Sequence, residues 1–219
     1  MAASDLWRVD LHLHTNASRD CAVSPEKLID VARRRGLSRV AVTDHNSIQG
    51  ALAARAIAPE FVIVGEEIKT DSGELIAYFL REQIPPGMSL EETIRRIREQ
   101  GGVVGVSHPL DRLRREAIGR EALLPILTLV DCLEGFNARV IFPSDNARAA
   151  VLAKEHGLPC TAGSDAHSAL EIGRAYVEMP PFDGPAGFVE SLRRGKIGGR
   201  LSSPCVHLIS TINKRRRRR

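Results

Sequence analysis

The sequence predicts an α/β protein built on a parallel sheet, open or closed into a barrel. Three observations predict it. Short apolar runs alternate with amphipathic helical stretches along the chain, the pattern of repeated βαβ units. Hydrophobic residues make up 43% of the 219 residues but aromatics only 4%, so Val, Ile and Leu must fill the core, as strands buried on both faces require. Histidines and carboxylates recur where the apolar runs end, which suits a fold that gathers its strand ends on one face. The length fits one domain, taken here as residues 1–213.

The elements follow in order. WRVDLHLH reads as a strand. SPEKLIDVARRRG is a helix with Ser24 as N-cap, Pro25 in its first turn and Gly36 as stop; Leu28, Ile29, Val31 and Ala32 share one face. RVAVTDH (39–45) is a strand and SIQGALAARAIA a helix. FVIVGEEI (61–68) and ELIAYFL (74–80) are strands around a turn at Asp71 to Gly73. Ser89 and Glu92 open the helix SLEETIRRIREQG with a capping-box pattern. GVVGVSHP (102–109) is a strand, LDRLRREAIG a short helix and REALLPILTLV largely helical. DCLEGFN (131–137) is a strand, and a helix capped by Ser144 runs to Gly157. LPCTAGSDAH passes from strand to loop, AYVEMP is a short strand and GPAGFVESLRRG a helix. RLSSPCVHLIST is readable either way.

The formal charge of +4 is a property of one end. Setting aside the six basic residues of 214–219 leaves 25 of the 31 Lys and Arg against 27 Asp and Glu, a slightly acidic body. The run KRRRRR is expected to be a disordered basic tail with a general attraction for polyanions. No aromatic-studded basic groove accompanies it, so it does not by itself imply a nucleic-acid substrate. Cys21, Cys132, Cys160 and Cys205 are widely spaced with no CxxC pair, which argues against a structural zinc knuckle. The first residues lack the charged and apolar regions of a signal peptide, and no apolar run reaches the ~18 residues of a membrane span. A cytoplasmic protein with no membrane and no obligate protein partner is the expectation.

Of seven histidines, five fall at strand ends: His12, His14, His45, His108 and His167. Asp20, Asp44, Glu67, Glu74 and Asp165 accompany them. Imidazole with carboxylate suits zinc, manganese or iron. The H-x-H spacing of His12 and His14 sets both rings on one face of a strand, opposite Val9, Leu11 and Leu13, with Asp10 on the ring side. Asp165 and His167 repeat the spacing. So many donors exceed what one ion accepts, and more than one metal is implied. His156 reads as a cation in a last helical turn, and His207, without an acidic neighbour, as no ligand.

These residues resemble the PHP family, the polymerase and histidinol phosphatase domain, from Val9 to about Leu192. DLHLHT (10–15), AVTDHN (41–46), VSHP (106–109) and GSDAH (163–167) look like its four motifs, in order. The resemblance implies a distorted (β/α)7 TIM-like barrel with two or three divalent ions that hydrolyses phosphoesters. It implies metal ligands at His12, His14, Asp20, His45, Glu67, His108, Asp165 and His167. Glu67 rather than Glu66 matches the family's G-x-E-I pattern, as a bridging carboxylate. Many relatives carry a further histidine where this chain has Glu74, which is retained as a ligand candidate.

Asp20, Glu67 and Asp165 offset only part of the charge of such a centre, so the pocket suits an anion. Hydroxide from metal-activated water serves as nucleophile. Asp44 is expected to orient a ligand histidine or a water. Arg112 and Arg139 are the expected phosphate contacts, while Arg114 and Arg115 read as a solvated helix face. The expected substrate is a nucleotide, an oligonucleotide or another small phosphoester. The alternatives are a histidinol-phosphatase-like phosphomonoesterase, or a non-catalytic metal-dependent module that binds nucleic acid or protein.

Overall fold

A computed structural model describes residues 6–216. Strands β1 (Trp7–Leu13), β2 (Arg39–Val42) and β3 (Val62–Lys69) are parallel neighbours. The turn after β3 leads into β4 (Glu74–Tyr78), which runs antiparallel to β3 and to β5 (Val103–Val106). Strands β6 (Cys132–Asn137) and β7 (Cys160–Gly163) continue in parallel with β5. The circle closes just beyond β7, where Asp165 N donates to His12 O (2.7 Å) and His14 N to Ala166 O (3.2 Å). The result is the expected distorted seven-strand barrel. Two further strands, β8 (Ala175–Met179) and β9 (Lys196–Gly199), extend the sheet antiparallel from the first half of β1.

The reversal of β4 positions the site. Glu74 opens an antiparallel strand, so it lies opposite Lys69 at the end where parallel strands finish. A turn too short for a crossover helix forces that reversal, because parallel neighbours need a long connection.

Two apolar clusters hold the barrel. One lies between the strands and helices α1 (Pro25–Arg34), α2 (Gln49–Ile57) and α3 (Leu90–Glu99), with Leu13, Val40, Val42, Val62 and Val64 from the strands. The other takes residues from every barrel strand: Val9, Leu11, Ala41, Ile63, Ile76, Val103, Cys132 and Ala162. It fills the barrel interior together with Phe188 and Leu192, and burial of these groups at ~25 cal/mol per Å² is the main source of stability.

Tertiary contacts override local propensity at several places. Residues 110–118 form turns instead of a helix, because Arg112 and Arg114 bind carboxylates on other elements. Pro125 stops α4 (Gly119–Leu123), which gives way to a 3-10 turn, Leu124–Ile126. Helix α5 (Pro143–Glu155) starts after Phe142, so Ser144 lies inside its first turn and not at its cap. Helix α6 spans Gly184–Arg193. The ambiguous last segment leads into α7 (Val206–Arg216), so the first three residues of the expected tail are helical; residues 217–219 lie outside those described. Among the described residues no helix is long and apolar enough to cross a membrane, and all four cysteines are free.

Candidate metal centre

A bulge puts the first two ligand candidates where they are. Asp10 pairs with Val40, but Leu13 pairs with Val42, so β1 carries one extra residue between them. The simple alternation expected of this strand is therefore broken. Val9 and Leu11 face the interior cluster, while Leu13 faces the helices. Asp10 does not join His12 and His14. It accepts from Ser164 N (2.9 Å), Ser164 Oγ (2.5 Å) and Gly173 N (2.9 Å), tying β1 to the loop after β7. Burial pushes its carboxyl up to about 7 against those hydrogen bonds. Gly163 lets that loop approach: a Cβ there would lie 2.1 Å from His12 Cβ.

Above the aliphatic interior the strands turn polar. Glu67 lies at the centre of the polar layer. Its Oε1 is 2.8 Å from His108 Nε2 and 3.3 Å from His12 Nε2; its Oε2 is 2.9 Å from His45 Nδ1 and 3.5 Å from His14 Nε2. Asp165 Oδ1 is 3.2 Å from His14 Nε2 and 3.8 Å from His12 Nε2. Asp20 comes from the loop after β1, 3.4 Å from His167 and 3.7 Å from His45. Glu74 stands 3.8 Å from His45 and 3.7 Å from His108. The rings of His14 and His167 are 4.2 Å apart and those of His14 and His45 4.4 Å. All nine residues named from the sequence as ligand candidates thus meet in one place.

The electrostatics show how unusual this packing is. Burial opposes ionisation of Glu67, yet His12 and His45 pull it well below the usual carboxylate range. Asp20 is likewise depressed by His167 and His45 against its own burial. Burial, then the negative Glu67, pushes Glu74 up to about 8. Burial together with the neighbouring His167 and His45 holds His14 well below the usual histidine range.

The residues fit divalent metal ions. His12 Nε2, His14 Nε2, Asp20 Oδ1, Glu67 Oε2 and Asp165 Oδ1 are buried and, close as their neighbours lie, in hydrogen-bond geometry with none of them. Buried polar atoms are ordinarily paired, so a convergent set of orphans calls for an ion. Four overlapping triads bring donor atoms within 4.8 Å of one another: His12–Glu67–His108, His12–His14–Asp165, His14–His45–His167 and His45–Glu67–Glu74. Mixed imidazole and carboxylate donors of this kind suit zinc, manganese or iron.

The neighbours of these residues fix which atoms face the centre. Ser18 Oγ donates to Asp44 (2.5 Å) and can then accept from His14 Nδ1 (3.2 Å), leaving His14 Nε2 as the free donor. His12 Nδ1 is held by Glu134 Oε1 at 3.0 Å, and His167 Nδ1 by the Asp165 carbonyl at 2.8 Å. Such partners set tautomer and ring orientation. The Asp44 carboxylate is held by Thr15 and Ser18, and Ser18 in turn meets His14 Nδ1 and the backbone N of His45, so Asp44 reaches the ligand histidines at one remove. Gly50 makes room for it, since a Cβ there would meet Asp44 Oδ2 at 2.2 Å.

Glu134 was missed from the sequence. It holds His12, the backbone N of His108 (2.7 Å) and Asn137 Nδ2 (3.1 Å). A carboxylate in the middle of the buried run DCLEGFN was the available signal. His108 needs that anchor, for it adopts φ 28°, a conformation that costs on the order of 1 kcal/mol or more and is often found at functional sites.

The cluster forms the floor of a cavity of about 910 Å³ whose wall includes Arg19, Lys69, Arg114, Arg115, Arg139 and Lys214. Arg114 reverses its sequence reading: Nη2 lies 2.7 Å from Asp165 Oδ2, and the side chain is 17% exposed. Arg139 lines the wall, 3.4 Å from Glu171 and donating to Ser210 Oγ at 2.8 Å. Arg112 is not at the cavity. Its guanidinium binds Asp145 (2.6 Å) and lies 4.9 Å from the Phe142 ring centroid. Arg112→Ala should therefore leave turnover and bound metal within about threefold of wild type. It should lower the denaturant midpoint slightly, because buried Asp145 keeps Arg148 as its charged partner. A hundredfold loss of turnover would show that Arg112 reaches the substrate after all.

Comparisons with known proteins bear on the family and the fold. A family model described as PHP domain matches residues 10–107, and one described as PHP-associated matches 143–197. An uncharacterized protein of Methanocaldococcus jannaschii is 34% identical over 175 residues, covering 78% of this chain and 70% of its own. A second uncharacterized protein of that organism is 41% identical over 115 residues, covering 47% and 67%. Among solved structures, a Bacteroides vulgatus two-domain protein containing a predicted PHP-like metal-dependent phosphoesterase superposes with a TM-score of 0.72 at 20% identity. The match covers 89% of this chain and 65% of that one. The motifs DLHLHT (10–15), AVTDHN (41–46) and GSDAH (163–167) lie inside the matched segments, His108 falls one residue beyond the first of them, and the chain belongs to the PHP domain family.

Proposed function

We propose that the protein is a metal-dependent phosphoester hydrolase acting on nucleotides, short oligonucleotides or other small phosphoesters. The observation that carries this reading is the set of five unpartnered buried donor atoms at and beneath the floor of an open cavity whose wall carries six basic residues. Two or three ions fit the overlapping triads. The triads share His12, His14, His45 and Glu67, so the ions would divide the nine residues among them, with Asp20 joining beside His45 and His167. Divalent ions there supply Lewis acidity and an activated water at neutral pH.

The chain's own groups do the rest. Glu67 offers one oxygen to each side of the cluster, which suits a bridging carboxylate. Arg114 keeps Asp165 Oδ2 occupied, leaving Oδ1 for the ion, and Arg114 with Arg139 presents guanidinium to a phosphoryl oxygen. Glu134 and Ser18 hold the histidines in register. The proposed setting is the cytoplasm, where free thiols persist.

The test is turnover of p-nitrophenyl phosphate and bis-p-nitrophenyl phosphate with manganese, zinc, iron or magnesium. Hydrolysis of at least one, lost on chelation, is expected. Bound metal without turnover in any of them would leave the non-catalytic binding module standing instead.

A further inference from the structure

Helix α7 is amphipathic the wrong way round for ordinary packing. Its apolar residues face out, with Leu208 64%, Ile212 49% and Ile209 36% exposed. One polar stripe faces the cavity. His207, Ser210 and Lys214, spaced as one helical face, all line the cavity over the metal centre. The helix is fixed there by polar contacts: His207 Nε2 with the Arg139 carbonyl (3.1 Å), Arg139 Nη2 with Ser210 Oγ (2.8 Å), and Asn213 Nδ2 with the Asp20 carbonyl (3.3 Å). A helix that turns its apolar side to solvent is not positioned by hydrophobic burial. What the inward face gains is contact with whatever fills the cavity. The helix also begins after residue 197, beyond both segments that match the family.

The chemistry of that face is cationic. Lys214 forms no ion pair among the described residues, and Glu116 lies on the same cavity wall. The phosphoryl group belongs at the floor, near Arg114 and Arg139. Whatever is esterified to it must extend along the wall towards the mouth. We propose that the polar face of α7 is the wall that binds the substrate's leaving group, and that Lys214 makes it selective for leaving groups carrying an anionic substituent. This rests on the hydrolase reading for the placement of the phosphoryl group.

Two non-hydrolysable probes separate the possibilities: phenylphosphonate and 4-carboxyphenylphosphonate, titrated calorimetrically into the metal-loaded protein. Wild type should bind the carboxylated probe about 3- to 10-fold more tightly, the worth of one charge contact near a cavity mouth. Lys214→Met should abolish the preference and Lys214→Arg retain it, with ion content and melting temperature unchanged in both. Equal affinity for the two probes in wild type, an unchanged preference in Lys214→Met, or binding of neither probe overturns the proposal. A preference without turnover of any phosphoester keeps the wall and removes the hydrolase reading; turnover without a preference does the reverse.

Discussion

Glu67→Gln is expected to lower kcat/KM by on the order of 10³ and to reduce the number of ions retained per chain. The loss corresponds to about 4 kcal/mol of transition-state stabilisation, the scale on which a polarising ion acts. The reason is the position of one carboxylate among four imidazoles. His108 and His12 lie on one oxygen at 2.8 and 3.3 Å, His45 and His14 on the other at 2.9 and 3.5 Å. Glutamine keeps the shape and the volume. It replaces one anionic oxygen with an amide NH2 that cannot coordinate, so two ions can no longer share the group. Ion counts by plasma mass spectrometry, taken beside steady-state kinetics, check both halves. A loss below tenfold with unchanged metal content would remove Glu67 from its central place.

Arg114→Ala is expected to cost about 10² in kcat/KM, the usual loss on removing one preorganised donor from developing charge. Two roles fail together. Asp165 Oδ2 loses its partner at 2.7 Å and keeps only Asn137 Nδ2 at 3.2 Å, and the cavity loses a guanidinium. Arg114→Lys should recover only part of the activity, because an ammonium cannot bridge a carboxylate and a phosphoryl oxygen in one plane. The measurement is kinetics of the three proteins at matched metal occupancy. Full activity in Arg114→Ala would show that the guanidinium serves Asp165 alone, and dispensably. The contrast with Arg112→Ala, expected to lose stability and keep activity, makes the assignment of the two arginines testable as a pair.

These two arginines also show where sequence reading stopped. Most of the ligand candidates were legible because they sit at the ends of apolar runs, and a barrel gathers such ends whatever its loops do. The arginines sit two residues apart in SHPLDRLRRE, which carries a plausible helical pattern. Which one turns inward depends on Asp145 in α5 and Asp165 after β7, partners that local pattern does not contain. The same limit hid the bulge in β1. Its alternation looks perfect in RVDLHLHT, and only the register against β2 shows that Asp10 leaves the ring side to bind Ser164.

The strand reversal at β4 was half legible. The tight turn at Asp71 to Gly73 excluded a crossover, but its consequence, Glu74 delivered to the metal centre by the start of a strand, required the sheet order. Glu134 stayed hidden because a lone carboxylate inside a buried strand gives no sign of what it holds. Helix α7 was unreadable for the opposite reason: its apolar residues do not mark its buried face.

The central claim is that a multi-ion centre built on Glu67 carries the hydrolysis. Metal-stripped protein titrated with manganese, with bound ions and phosphodiester turnover followed in the same samples, tests it most directly. The expected result is activity that appears only as the second equivalent binds and disappears on chelation. Activity that is complete at one equivalent, or that survives removal of all bound metal, would contradict it.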